Sequence, residues 1–412
     1  MLVKPQSTNL ARIKVVGVGG AGGNAINNMI QNYDIEGVEF ITVNTDAQAL
    51  SKSLAETKLQ IGVENTRGLG SGGNPATGRK AAEESIDEIH EHLAGADMVF
   101  ITAGMGGGTG TGASPIIAGV AKNLGALTIA IVEKPFNFEG KRRMDVALQG
   151  VEDIKDKVDT LIVIPNQKLF EIGEKNLTFV EALKKVDDVL AQAVKSISQL
   201  ITQTGLINLD FQDVRTIMAN AGTALMGIGE ADGEDRASIA TKAAIQSPLL
   251  EFSISGAKGV IFNIAGGQDL GIQEVGDAAR VIQEEVSPEC NVVFGASIDE
   301  ELGDKVKVTV IATGFDPEHV AHVLSSSGEN QFTSNAQPRS INSPSIGQTL
   351  PRAPQPVARQ RESLYEQESY EQEEVQMPQP KAEPKRKSIF DNYIDDDDYE
   401  TPAYLRNKRK EY

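Results

Sequence analysis

Between Arg12 and Pro165 the chain repeats one pattern: a short apolar run, a polar break, then a stretch with apolar residues at helical spacing. The runs are Ile13 to Val18, Glu39 to Val43, Met98 to Thr102, Leu127 to Val132 and Thr160 to Ile164. Strands that are apolar throughout must be covered on both faces, so the alternation predicts an α/β fold with a parallel sheet between helical layers. A longer helical pattern follows from about Thr178 to Gln203, with Val186, Val189, Leu190, Ala193, Val194 and Ile197 on one face and Thr204-Gly205 as its stop. From about Asp210 to Thr313 the pattern predicts a second α/β unit, with strands near Ala224 to Ile228, Gly259 to Ile264, Asn291 to Ala296 and Val306 to Ile311. Pro, Gln, Ser and Glu dominate from about Ser325 to Lys387. Such a segment buries too little apolar surface to offset its ordering entropy and is expected to be a disordered linker.

Composition changes this picture in three ways. The net charge of -19 repels nucleic acid and anionic membranes at long range, so neither is an expected direct partner. An anionic ligand would have to be held by local backbone amides. With no apolar run of about 18 residues and no signal-like apolar core at the N-terminus, the expected location is the cytoplasm. A single cysteine, Cys290, excludes an intramolecular disulfide and is expected as a small buried hydrophobe in a strand.

Glycine supplies the amides. The run Gly104-Met105-Gly106-Gly107-Gly108-Thr109-Gly110-Thr111-Gly112 directly follows an apolar strand pattern, and Ser114-Pro115 is expected to open a helix over Ile116 to Asn123. Removing Cβ atoms from one turn while keeping two threonine hydroxyls lets amides and hydroxyls converge on one anion, where a bare flexible linker would lack the flanking strand and helix. Gly17-Val18-Gly19-Gly20-Ala21-Gly22-Gly23-Asn24 also follows a strand and fits GxGxxG, with Asp46 at the distance of a ribose contact, so a NAD-binding dinucleotide fold is the rival. A dinucleotide fold has no need of a second phosphate cradle, whereas a nucleoside triphosphate offers phosphates to several loops. Asn44-Thr45-Asp46 and Arg67-Gly68-Leu69-Gly70-Ser71-Gly72-Gly73-Asn74 fit the triphosphate reading. Gly73 to Lys80 is not a P-loop, since Gly78-Arg79 stands where Gly-Lys-Ser/Thr is required.

GGGTGTG resembles the signature of the tubulin/FtsZ family, and the resemblance runs from about Ile13 to Phe315 with a short second match at the C-terminus. It implies a GTP-binding domain over residues 1–175, a central helix and the start of a catalytic loop over 176–209, a C-terminal α/β domain over 210–316, a linker over 317–387 and a partner-binding peptide over 388–412. It implies that Gly20, Ala21, Gly22, Gly23, Asn24, Asn44, Asp46, Gly70, Ser71, Gly72 and Gly106, Gly107, Gly108, Thr109, Gly110, Thr111 and Gly112 surround the phosphates of GTP or GDP. Mg²⁺ would be carried mainly by those phosphates. By the same resemblance Glu139 accepts from ribose hydroxyls, Arg143 lies over the nucleotide, and Asn166 and Asp187 read the base. A carboxylate accepts from guanine N1–H and the exocyclic amine together, which adenine cannot match, so Asp187 favours GTP over ATP. Leu183 stands where the family commonly has an aromatic residue against the base, with Phe179 one turn away as a substitute.

Asn208-Leu209-Asp210-Phe211-Gln212-Asp213 places two carboxylates three residues apart. Read from the residues, Asp210 can equally be a helix N-cap with Asp213 its first-turn acid. The resemblance implies instead that Asn208, Asp210 and Asp213 complete hydrolysis on the next subunit of a head-to-tail filament, because a helix of about 26 residues spans roughly 40 Å and separates them from their own nucleotide. The filament would form the ring at the bacterial division site. Pro402, Tyr404, Leu405 and Arg406 resemble the family's C-terminal anchor, with Thr401 in place of the usual aliphatic residue, and imply a membrane-adaptor or regulatory protein as partner, the membrane being reached only indirectly.

Overall fold

The structure, a computed structural model, describes residues 11–33, 35–172, 178–202, 210–250 and 252–316. Ten strands form one sheet. They are β1 (Ile13–Val18), β2 (Val38–Asn44), β3 (Thr57–Gln60), β4 (Met98–Gly104), β5 (Leu127–Lys134), β6 (Thr160–Pro165), β7 (Gly222–Asp232), β8 (Gly259–Gly266), β9 (Asn291–Ile298) and β10 (Lys305–Thr313). The helices in the first half are α1 (Gly19–Asn32), α2 (Ala47–Ser51), α3 (Val63–Thr66), α4 (Pro75–Glu84), α5 (Ile86–Leu93), α6 (Thr109–Asn123), α7 (Lys141–Lys155) and α8 (Asn166–Ile172). Then come α9 (Phe179–Thr202), α10 (Phe211–Met218), α11 (Arg236–Ile245) and α12 (Ile272–Glu285).

The strand order is β3-β2-β1-β4-β5-β6-β7-β10-β8-β9. From β3 to β6 every pairing is parallel, as the two-sided apolar runs require. The two α/β units share this sheet: β7 continues it through the parallel register Thr160↔Gly222, Leu161↔Thr223 and Ile162↔Ala224. Beyond that join the sheet is mixed, with β10 antiparallel to β7 and β8, and β9 parallel to β8. The edge strand β3, sequence TKLQ, escaped the sequence reading because an edge strand needs no apolar run.

Helices α4, α5, α6 and α7 cover one face of the parallel half through Ala81, Ile89, Ala113, Ile117, Ala147 and Ile154. On the other face α1, α9 and α10 share a core with strands from both halves, Ile131 and Ile164 on one side and Ile261 and Ile311 on the other. The stripe Val186, Leu190, Ala193, Val194 and Ile197 of α9 lies in this core, so the 24-residue helix, roughly 36 Å long, binds the two halves together.

Two expectations need correction. Helix α6 starts at Thr109, not Ile116, and encloses Pro115. Glycine's poor helix propensity made the loop look longer, but close packing against α4 sets the backbone of the run itself. Cys290 is partly buried and sits one residue ahead of β9 rather than in a strand. Among the described residues no helix is long and apolar enough to cross a membrane. The expected linker and C-terminal peptide, including Pro402, Tyr404, Leu405 and Arg406, lie outside the described residues.

Candidate functional site

The connections reverse direction at β1, which has β2 on one side and β4 on the other. A crevice at the carboxyl ends of two such strands is where a doubly wound sheet receives a ligand. Helix α1 begins immediately after β1, and α6 begins after the glycine turn that follows β4. Neither has a side-chain N-cap or an acid in its first turn. By contrast α2 is capped by Asp46 and α4 by Asn74. A Cβ added at Gly19 would lie 2.8 Å from the Gly110 nitrogen, so the two uncapped N-termini meet. Their free N–H groups and positive dipole ends favour an anion there.

The site glycines divide by what a side chain would meet. At Gly22, Gly108, Gly110 and Gly112 an added Cβ would overlap Thr102, Ser71, Gly104 and Pro75 respectively, so these glycines let the loops pack. At Gly20 and Gly107 an added Cβ would meet nothing within 4 Å, and neither residue has a positive φ. Packing and backbone strain therefore do not demand glycine at these two positions, which leaves open space beside the two helix N-termini.

Hydroxyls tie the loops to one another. Thr109 Oγ1 lies 2.7 Å from Thr45 Oγ1 and 3.0 Å from Ser71 Oγ, while the Gly106 N–H donates to Thr111 Oγ1 at 2.9 Å. Gly70 N–H donates to the Thr45 carbonyl, and buried Asn44 Oδ1 accepts from Thr45 and Asp46 N–H. Asp46 turns Oδ1 to the N–H groups of Gln48 and Ala49. Gly20, Gly23, Asn24, Asn44 and Asp46 line a cleft of about 250 Å³. Ala21 closes against Gly104, where an added Cβ would be 2.6 Å from its own. Gly72 faces open space with a left-handed φ of 61°. The structure thus brings the predicted phosphate-side residues to one end of the sheet.

The predicted ribose and base residues follow along β5, β6 and α9. Glu139 accepts from Phe136 N–H at 2.9 Å and pairs with Arg143 Nε at 3.1 Å, and the Arg143 backbone lies over Gly106. Buried Asn166 donates Nδ2–H to Glu133 Oε2 at 3.1 Å, and its Oδ1 is buried without a partner. Burial pushes Asp187 up to about 7, helped by the charges of Glu133 and Asp188. Burial also raises Glu133, as does Glu139, against the opposing effects of the Asn166 hydrogen bond and Arg143.

Glu133 is the site residue that sequence reasoning missed; its signal was one acid closing an apolar strand. Phe138 was missed too. It stacks on Phe136 at 5.0 Å and meets Phe179 at 5.9 Å, so Phe179, one turn before the aliphatic Leu183, belongs to an aromatic cluster.

Asp210 and Asp213 stand apart from this crevice. They cap α10 reciprocally: Asp213 N–H donates to Asp210 Oδ1 at 2.9 Å and Asp210 N–H to Asp213 Oδ2 at 3.2 Å. The capping geometry read from their spacing is present, with both side chains exposed. Asn208 lies outside the described residues.

Comparison with known proteins places these observations. The Tubulin/FtsZ family, GTPase domain, matches residues 12–174, and the FtsZ family, C-terminal domain, matches residues 222–316. An empty FtsZ dimer from M. jannaschii is 47% identical with a TM-score of 0.72, the match covering 74% of this chain and 89% of that one. A GTPγS-bound protofilament of CetZ2 from Haloferax volcanii shares the fold at 19% identity and a TM-score of 0.64, over 77% of this chain and 99% of that one. The order β3-β2-β1-β4-β5-β6 is also that of dinucleotide-binding folds, so the family match, not topology, separates this chain from them.

Two outcomes follow from the geometry. Gly20→Ala and Gly107→Ala should unfold within about 0.5 kcal/mol of the parent yet lose roughly tenfold or more in guanine-nucleotide affinity, whereas Gly112→Ala should fail to fold stably. Denaturant melts beside titration with a fluorescent GTP analogue measure both; unchanged affinity at Gly107 would refute the cradle. The second outcome concerns Asp187, whose folded pKa of about 7 exceeds the unfolded value of about 3.9. The folded chain then holds a proton that the unfolded chain releases, so this stabilisation is full below about pH 4 and is lost as pH rises through 7. Nucleotide-free melts from pH 5 to 8 should fall more steeply for the parent than for Asp187→Asn, by up to about 2.5 kcal/mol, since only about two pH units of that window lie below the folded pKa. Parallel curves would exclude the buried carboxyl.

Proposed function

The chain belongs to the tubulin/FtsZ family, and from that premise we propose that it binds and hydrolyses GTP, polymerises head to tail, and forms the division ring of a bacterial cell. The observation that carries the nucleotide reading is the meeting of two uncapped helix N-termini beside two glycines whose missing side chains serve no protein contact. These amides cradle the phosphates, which would themselves carry Mg²⁺, and the ion would supply charge neutralisation there. Glu139 receives the ribose hydroxyls, while Asp187 and Asn166 receive the donor edge of guanine. Adenine offers an acceptor at N1 instead, which would leave the Asp187 carboxylate unpaired in the site at a cost of about 1 to 3 kcal/mol and so disfavours ATP.

Hydrolysis is completed between subunits. Asp210 and Asp213 bond to each other and to no residue of the glycine crevice, and Asp187 lies about 15 residues, roughly 22 Å of helix, before the end of α9. In a filament the pair, with Asn208, orients and polarises water against the neighbour's γ-phosphate. A head-to-tail contact without a closing rotation yields an open polymer. Residues 388–412, through Pro402, Tyr404, Leu405 and Arg406, bind a membrane adaptor or regulatory protein from a cytoplasmic filament at mid-cell. Multivalency along the filament makes weak tail contacts firm.

Phosphate release per molecule should rise from near zero with protein concentration. Asp213→Asn, which keeps an acceptor for the Asp210 N–H, should bind GTP normally but hydrolyse it at least about tenfold more slowly. A rate independent of dilution, with monomer alone present, would refute catalysis between subunits. Removing residues 388–412 should leave hydrolysis and polymerisation intact in solution and abolish recruitment to the division site. A normal ring built from the truncated chain alone would refute the tail's role.

A further inference from the structure

A primary amide can present either its NH₂ or its oxygen to a ligand, and the two ends have nearly the same shape. Guanine has an acceptor at O6 and donors at N1 and the exocyclic amine, so an unconstrained asparagine could serve either edge. Whatever fixes the orientation of Asn166 therefore helps decide which base is accepted. Among the described residues Glu133 makes such a contact, and it lies on a different strand.

Glu133 is the next-to-last residue of β5, in register with Gly104 of β4 and Ile164 of β6. Its carbonyl accepts from Met105 N–H at 3.0 Å, which locks the backbone to the start of the glycine turn. Gly104 makes room for its side chain: a Cβ there would come within 2.8 Å of Glu133 Oε1. The other oxygen, Oε2, receives the Asn166 NH₂ at 3.1 Å. That hydrogen bond turns the amide NH₂ toward Glu133, because the carboxyl oxygen facing it accepts. Asn166 is 4% exposed, and its Oδ1 is left buried without a partner. A buried acceptor with nothing to accept from calls for an explanation, and a ligand donor supplies one.

We propose that Glu133 is a positioning residue for base recognition: it holds the Asn166 amide so that Oδ1 faces the base and accepts from the exocyclic amine of guanine. This rests on the guanine-nucleotide reading above. Asp187 can accept from N1–H and one hydrogen of that amine; the second hydrogen needs another acceptor, which Asn166 supplies. Glu133 acts through the amide and touches no part of the nucleotide itself. Replacing it by glutamine keeps its shape but offers both a donor and an acceptor, so the Asn166 amide would be free to turn either way.

Inosine triphosphate lacks the exocyclic amine and is the probe. In competition binding on the full chain, the parent should prefer GTP over ATP and GTP over ITP. Glu133→Gln, and Glu133→Met as a second replacement without a carboxylate, should lower the GTP/ITP ratio about five- to tenfold with melting temperatures no lower than the parent's. In an Asn166→Ala background the Glu133→Gln change should leave the ratio as it is, because the amide through which Glu133 acts is gone. A purely electrostatic effect of Glu133 on Asp187 would persist in that background and would overturn the proposal, as would an unchanged ratio in Glu133→Gln and Glu133→Met. If the parent itself fails to prefer GTP over ATP, the guanine reading falls and this proposal with it; a parent preference with an unaltered GTP/ITP ratio in the variants removes this proposal alone.

Discussion

Two uncapped helix N-termini that meet at Gly19 and Gly110 are the constraint on which the rest of the structure depends. Strand order makes β1 and β4 neighbours, and α1 and α6 each start as soon as their strand ends. Gly19 and Gly110 then come together at a distance that a side chain would forbid. Each N-terminus carries about half a positive charge, and such ends repel unless an anion compensates them. The nearby acid, Asp46, spends an oxygen on capping α2, and neither long helix has an acid in its first turn. The chain has a net charge of -19, yet it withholds negative side chains from the first turns of these two helices.

Along the same edge of the sheet the polarity reverses. Toward β5, β6 and α9 come Glu133, Glu139, Asp187 and Asp188, a crowd of carboxyls in which burial and mutual repulsion raise both Glu133 and Asp187. A nucleotide has the complementary asymmetry, with anionic phosphates at one end and, for guanine, a donor-rich edge at the other. On the proposed guanine-nucleotide reading the crevice also favours one orientation, because a reversed ligand would set phosphates against carboxylates. Gly104 belongs to both ends: it packs against Ala21 of α1 and makes room for Glu133. A side chain there would disturb both ends together.

The parts of this design that were legible in the sequence are those with a local physical cause. Runs such as Met98 to Thr102 read as strands because burial on both faces leaves no polar alternation, and the glycine turns read as anion loops because few other causes concentrate glycine at strand ends. Helix α6 was placed too late because Pro115 is a typical helix opener, whereas its true start is imposed by packing of Gly112 against Pro75, a contact distant in sequence. Glu133 was illegible for a similar reason. One acid in IAIVEK carries no periodicity, and its meaning comes from Asn166, 33 positions away. Asp210 and Asp213 were ambiguous in principle, since a spacing of three serves a capping box and a paired catalytic site equally well.

Those two readings of Asp210 and Asp213 are compatible, and the cap strengthens the other. Each carboxylate spends one oxygen on the other residue's N–H, which leaves two oxygens outward on a helix end. Val214, Ile217 and Met218 anchor that helix in the same core as the α9 stripe. The pair is therefore ordered before any partner arrives, and the entropy of arranging it has been lost during folding rather than at the moment of reaction. On the proposed mechanism the nucleotide crevice and the carboxylate pair belong to one packed body but serve different nucleotides. On that mechanism no internal motion of one molecule need bring them together. The arrival of a second molecule controls hydrolysis under the same proposal, and polymerisation is the switch.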